Sequence, residues 1–132
     1  MKKNTDLGLL VLRIAIGGLM LLHGIAKLKG ISYIEGMLTE KGFPSFMAYG
    51  VYITEIIAPF LVLIGYRTRL ASLVYAFGAI FIILIAHPAE IISLNAYGGW
   101  GIELIGLYLL GSITLFFTGG GKLSVSSSNI WD

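Results

Sequence analysis

Residues 7–28 read LGLLVLRIAIGGLMLLHGIAKL, a run whose only ionisable groups are Arg13, His23 and Lys27. Crossing a hydrocarbon core of roughly 30 Å takes about 20 residues of α-helix, so this run is long enough to span a membrane. Three further stretches have the same character: Phe46 to Tyr66, Leu70 to Ala86 and Gly99 to Phe117. None alternates with a period of two, and backbone amides left unpaired in lipid are too costly to tolerate, so helices are the consistent reading. Hydrophobic residues make up 57% of the 132 positions and charged residues 12%. The mean hydropathy of +0.90 belongs to a membrane protein rather than a soluble globule. The expected fold is therefore all-α, a polytopic four-helix bundle over residues 1–118, followed by a Gly/Ser-rich cytoplasmic tail over 119–132.

Lys2 and Lys3 give the first stretch the basic start of a signal peptide. Its length, the embedded Arg13 and the lack of a small-residue cleavage site predict that it stays in the mature chain. With no cysteine, disulfides, thiol catalysis and iron–sulfur ligation by this chain are excluded. The net charge of +2 is scattered, which argues against nucleic acid. Lys2, Lys3, Arg67, Arg69 and Lys122 fall on one side of the expected helices. Lys27, Lys29 and Lys41 fall on the other, accompanied by Glu35, Glu40 and Glu90, so the positive-inside rule places both termini in the cytoplasm.

The four-residue link Tyr66-Arg67-Thr68-Arg69 makes the second and third helices antiparallel neighbours. ISYIEGMLTEKGFP, residues 31–44, reads as a short interfacial helix closed by Gly42, with Pro44 opening the second helix. HPAEIISLNAYGG, residues 87–99, leaves room for another short turn. GGGKLSVSSSNIWD, from Gly119 onward, has no periodicity and reads as a flexible or complex-bound extension.

Ionisable groups inside spanning helices are costly and usually face a bundle interior or a water-filled cavity. At 100° per residue, Arg13, Gly17, Met20, His23, Gly24 and Lys27 fall in a sector of roughly 120° on the first helix. At about 1.5 Å per residue, His23 and Glu103 lie at similar depths of about 7 and 6 Å, with Glu55 near 13 Å and Arg13 near 22 Å. His23 and Glu103 are the expected pair, serving either as an interhelical hydrogen bond or as a headgroup or proton site. Arg13 is expected to be a structural intramembrane charge, reaching Glu55 or snorkelling to the inner surface. Pro59 has no N–H to give to the carbonyl of Glu55, so a kink beside a buried carboxylate is expected there. Lys27 is placed at the interface, and Arg67 and Arg69 at the lipid phosphates.

LLHGIAKL in the first helix, Gly42-Phe43-Pro44 before the second, Glu55 with IIAPFLVLIGYRTRLAS, Glu103, and GGGKLSV after the fourth helix together resemble the DoxX family of small four-helix membrane proteins. That family's tail ends Gly-Pro-Gly-Lys/Arg-x-Ser-Leu-Asp; here Gly120 stands in place of the proline and Ser126 in place of the aspartate. The resemblance implies a multi-pass protein of a bacterial cytoplasmic membrane. It also implies a quinone-linked subunit or accessory of a membrane redox complex, with membrane lipids and a protein partner around it. On that reading His23, Lys27, Glu55 and Glu103 are the positions that would serve quinone, and no metal is expected. Electrons would enter from a partner, because no flavin or iron–sulfur motif is present. The alternative is a non-catalytic assembly subunit whose polar cluster only locks the helices. Haem between His23 and His87, and small-molecule transport, are weaker alternatives.

Overall fold

The structure is a computed structural model and describes residues 2–132. Among the described residues it is all-helical, apart from one isolated bridge between Leu94 and Trp100. Five helices follow one another: α1 (Thr5–Lys29), α2 (Ser32–Glu40), α3 (Ser45–Ile64), α4 (Thr68–Ala86) and α5 (Glu103–Thr118). Helices α1, α3 and α4 are long and apolar enough to cross a membrane, and α5 is a shorter apolar helix of 16 residues. Their outward faces carry exposed apolar side chains such as Val11, Leu22, Phe60, Phe77, Leu107 and Phe117, while Arg13 and Glu55 are buried. Large apolar residues outside and charges inside are the arrangement a hydrocarbon solvent selects.

Helix α1 packs against α3 and α5, α3 against α4, and α4 against α5. Glycines set the α1–α3 approach. A Cβ on Gly17 would come 2.7 Å from Pro59 O, and one on Gly24 would run into Glu55 O. Both helices change pitch where they meet. Residues Ile14–Gly18 of α1 and Ile53–Ile57 of α3 form π turns, the second just ahead of Pro59. A π turn widens the spiral and unbalances the i to i−4 bonding. Tyr75 of α4 uses the first of them, its hydroxyl donating to Ile16 O at 3.2 Å.

Several helix ends lie one to four residues from the sequence expectation, and two of them have a specific cause. Helix α3 stops at Ile64 because Gly65 is left-handed (φ 76°), with Tyr66 N donating to Leu61 O at 2.9 Å, the geometry of a glycine C-cap. Helix α5 begins at Glu103 rather than Gly99. Residues 93–101 are folded back on themselves, with Asn95 N donating to Gly99 O at 2.7 Å and Gly101 N to Ser93 O at 2.8 Å. Helix α2 is closed by Gly42 (φ 82°), and Pro88–Ile92 forms one 3-10 turn after α4.

The tail, whose composition reads as a flexible or complex-bound extension, is ordered against the chain's own helices. Val125 N donates to Ile64 O and Ser126 N to Gly65 O, each at 3.1 Å, which extends the α3 cap. Arg13, 2% exposed, holds the other side of this seal. Its guanidinium donates to Val62 O (3.0 Å), Leu63 O (2.9 Å), Gly120 O (3.0 Å) and Leu123 O (2.6 Å). A cation at the last carbonyls of a helix is favoured by the helix dipole as well as by hydrogen bonding. The N-terminal end of α1 meets the tail too, Lys122 N donating to Asp6 Oδ1 at 2.9 Å. The tail and the start of α1 thus form one end of the molecule, the tail end, and the α1–α3 and α4–α5 connections form the opposite, loop end.

Candidate functional site

Near the loop end, Lys27 at the close of α1 reaches across to Glu55 in the α3 π turn. Its Nζ donates to both carboxylate oxygens at 2.5 Å. Glu55 is 2% exposed, whereas the Lys27 side chain keeps partial exposure. Tyr52 Oη adds a 3.3 Å bond to Lys27 O, which ties the end of α1 to α3. A buried ion pair is held only when geometry compensates desolvation, and here one ammonium serves both oxygens of a single carboxylate.

Two cavities meet at this pair. The larger, about 690 Å³, lies between α2, α3 and α4. Leu38, Val51, Phe81, Ile82 and Ile85 give it an almost wholly apolar wall, with Lys27, Glu55 and His87 as its charged or titratable side chains apart from Tyr33. The smaller, about 450 Å³, lies between α1, α4, α5 and the folded-back segment, and is lined by His23, Asn95, Glu103 and Tyr108. Lys27, Glu55, Ile82 and His87 belong to both. The larger volume is of the size that takes a small organic ligand, with a few polar groups to orient it.

The expected site residues are distributed differently from the sequence reading. Lys27 and Glu55, assigned separately to an interface anchor and a kink, form the ion pair. His23 and Glu103 line the same cavity but share no hydrogen bond: both are exposed, His23 packs edge-on to Tyr108 at 6.2 Å, and Glu103 is approached by Asn95 Nδ2 at 3.5 Å. Glu103 sits in the first turn of α5, which starts later than expected, and the π turn of α1 shifts the angular count that put His23 on the buried stripe. Arg13 does not meet Glu55; it is structural, as above. His87 lines both cavities, and its Nδ1 lies 3.0 Å from Glu90 Oε2, an acceptor for the Nδ1–H tautomer. In the sequence it stands out only as an ionisable group at a helix edge and as a haem candidate with His23, its place before Pro88 counting against that role.

At the tail end a second polar cluster was not anticipated. Asp132 takes hydrogen bonds at Oδ2 from Ser126 Oγ (2.7 Å), Ser128 N (2.9 Å) and Asn129 N (2.7 Å), and at Oδ1 from Arg67 (3.1 Å). Burial pushes its pKa up, but the bonds from Ser126 and Asn129, the Arg67 charge and the Ser128 amide outweigh it and hold the carboxyl at about 2. A carboxylate thus sits beside Ser126, at the position where the resembled tail carries its own aspartate. Arg69 spans from Phe116 O (2.9 Å) to Ile130 O (2.7 Å). Both arginines therefore hold the tail against α4 and α5 instead of standing free at the surface.

The DoxX family model matches residues 8–88, which include α1 from Gly8 onward, the Lys27–Glu55 pair and all of α4. A protein of Bacillus subtilis (strain 168) named "Putative oxidoreductase CatD" is 32% identical over 125 residues, covering 95% of this chain and 89% of the relative. No solved structure matches the chain.

Proposed function

Since the chain belongs to the DoxX family of membrane proteins, we propose on that premise that it is a quinone-linked subunit of a membrane redox complex. The quinone ring and the start of its tail occupy the apolar cavity, and Lys27 and Glu55 address the ring oxygens. The observation that carries this reading is the Lys27–Glu55 ion pair set into the wall of a largely apolar space of about 690 Å³. A quinone needs that combination: apolar contact for ring and tail, a donor for a carbonyl oxygen, and an acceptor when a quinol gives up a proton. The oxidoreductase name of the Bacillus relative supports the redox class. With no cysteine in the chain, electrons arrive from a partner protein.

On this reading α5 crosses the membrane as the fourth helix. Its 16 residues span about 24 Å, and the folded-back segment before it fills the remaining thickness. The tail end, with Lys2, Lys3, Arg67, Arg69 and Lys122, faces the cytoplasm of a bacterial inner membrane. Equilibrium binding of a short-chain quinone to the protein in lipid nanodiscs tests the reading: one saturable site is expected, lost in Lys27→Met and in Val51→Trp, which fills the cavity. Binding that is unsaturable, or unchanged in both variants, would overturn it.

A second reading, a non-catalytic assembly subunit, draws on the connection between α4 and α5, which presents Ile92, at the end of the 3-10 turn, and Tyr97, in the folded-back segment, at 94% and 98% exposure. It expects variants of these two residues to lower complex recovery while quinone binding is untouched.

A further inference from the structure

The two cavities differ in chemistry but share the Lys27–Glu55 pair as a common wall. We infer that the smaller, polar cavity is a water-filled vestibule through which the pair exchanges protons with the aqueous phase at the loop end. The inference rests on the quinone reading for what occupies the apolar side, and not for the vestibule itself.

Three observations carry it. First, the smaller cavity has the composition of a hydrated space: His23 from α1, Asn95 from the folded-back segment, and Glu103 and Tyr108 from α5 line it, with His23 and Glu103 exposed at its mouth. A cavity with several polar partners holds water, whereas an apolar one of similar size stays dry. Second, it reaches the same Lys27 and Glu55 side chains that face the apolar cavity, so the pair is wetted on one side only. Third, polar groups at the other end of the molecule are engaged in internal bonds: Arg13, buried, donates to four carbonyls, and the tail backbone lies over Ile64 and Gly65.

The consequence for a bound ligand is directional. A proton passed from Lys27 Nζ to a ligand oxyanion on the apolar side breaks one N–H bond and forms one O–H bond. A water in the vestibule restores the N–H, and the resulting hydroxide leaves by the same route. In the opposite sense, Glu55 takes a proton from a ligand hydroxyl and releases it to vestibule water. His23, His87 with its partner Glu90, Glu103, Tyr108 and, behind them, Tyr75 are the titratable groups on the vestibule side of this path, and Tyr52 and Tyr33 stand near Lys27 on the other. The ligand thus never needs direct contact with bulk water.

The cysteine-free chain allows a direct test. Met20→Cys places a thiol deep in the vestibule wall, and Ala76→Cys places one in the core, where it lines neither cavity. In nanodiscs, a charged methanethiosulfonate reagent is expected to modify Met20→Cys at least about tenfold faster than Ala76→Cys, since only a hydrated thiol ionises and reacts. Adding Ile105→Trp, which fills the vestibule, is expected to abolish the difference. Ile102→Cys, in the same wall, carries the same expectation should Met20→Cys fail to fold. Equal, slow rates at Met20→Cys or Ile102→Cys and at Ala76→Cys would overturn the vestibule. Phe81→Cys, on the apolar side, separates the two claims. Its labelling by an apolar maleimide is expected to be blocked by short-chain quinone. Loss of that protection with fast Met20→Cys labelling retained would sink the quinone reading and leave the vestibule standing.

Discussion

Lys27 Nζ sits 2.5 Å from both carboxylate oxygens of Glu55, and the backbone oxygen of the same Glu55 lies against Gly24, one turn before Lys27. A single turn of α1 therefore contacts both polar ends of one α3 residue. Pro59, four residues on, has no N–H to offer Glu55 O, and Gly24 has no side chain to push it away. The charged pair and the helix crossing are one construction.

Removing one member of the pair leaves the other uncompensated in a low-dielectric site. Lys27→Met is expected to cost roughly 3 kcal/mol, and the double variant Lys27→Met/Glu55→Leu to recover most of it. Denaturation in mixed micelles measures both. A double variant no better than the single one would show that the pair's charge is not what destabilises the single variant.

Gly24→Ala drives a methyl into Glu55 O and is expected to cost about 1–3 kcal/mol. Gly36, in α2, has nothing within 4 Å of an added Cβ, so Gly36→Ala is expected to gain up to about 1 kcal/mol. The same denaturation series reads both signs.

These residues show where the sequence was legible. The long apolar helices, the α2 helix closed by Gly42 and the disturbance beside Pro59 all follow from local pattern, because span length, glycine and proline act within a few residues. Membership of the pair did not follow. Depth counted along straight helices set Lys27 at the surface and Glu55 well below it. A flexible four-carbon stem and π turns in both helices remove that gap, and neither is visible in periodicity. The tail failed for a different reason. Gly- and Ser-rich composition signals a linker, yet here the anchors are Arg13, Arg67 and Arg69, each far away in sequence and reaching the tail through the carbonyls of Gly120, Leu123 and Ile130 and the carboxylate of Asp132, pairings that composition does not encode.

Arg13→Met removes four donors from carbonyls at the α3 end and in the tail. Buried acceptors left unpaired cost about 1–3 kcal/mol each before relaxation, so the tail is expected to detach. Arg13→Lys restores little, since an ammonium lacks the planar fork that reaches both segments. Trypsin cleavage after Lys122 is expected to accelerate in both variants. An unchanged cleavage rate would mean that the tail is held without Arg13, by Arg67, Arg69 and the backbone bonds to Ile64 and Gly65.

The Asp132 carboxyl, held at about 2, is depressed from its ordinary value of 3.8. Its contribution to tail docking is therefore complete above that ordinary value and is lost as pH falls through about 2. Trp131, adjacent to it, is one of only two tryptophans, so its fluorescence in a Trp100→Phe background reports docking. The expected trace is flat from neutral pH to about 4, with a transition below; Asp132→Asn is expected to abolish the acid transition. A transition near pH 4 to 5 in the parent would contradict the depressed value.

The central claim, that a quinone lies in the apolar cavity against Lys27 and Glu55, is tested most directly by photolabelling in nanodiscs with a photoreactive short-chain quinone, followed by peptide mapping. The account predicts saturable labels on the segments around Val51 and Phe81, displaced by unlabelled quinone and lost in Lys27→Met. Labels confined to outward residues such as Leu107 and Leu110, with no displacement, would contradict it.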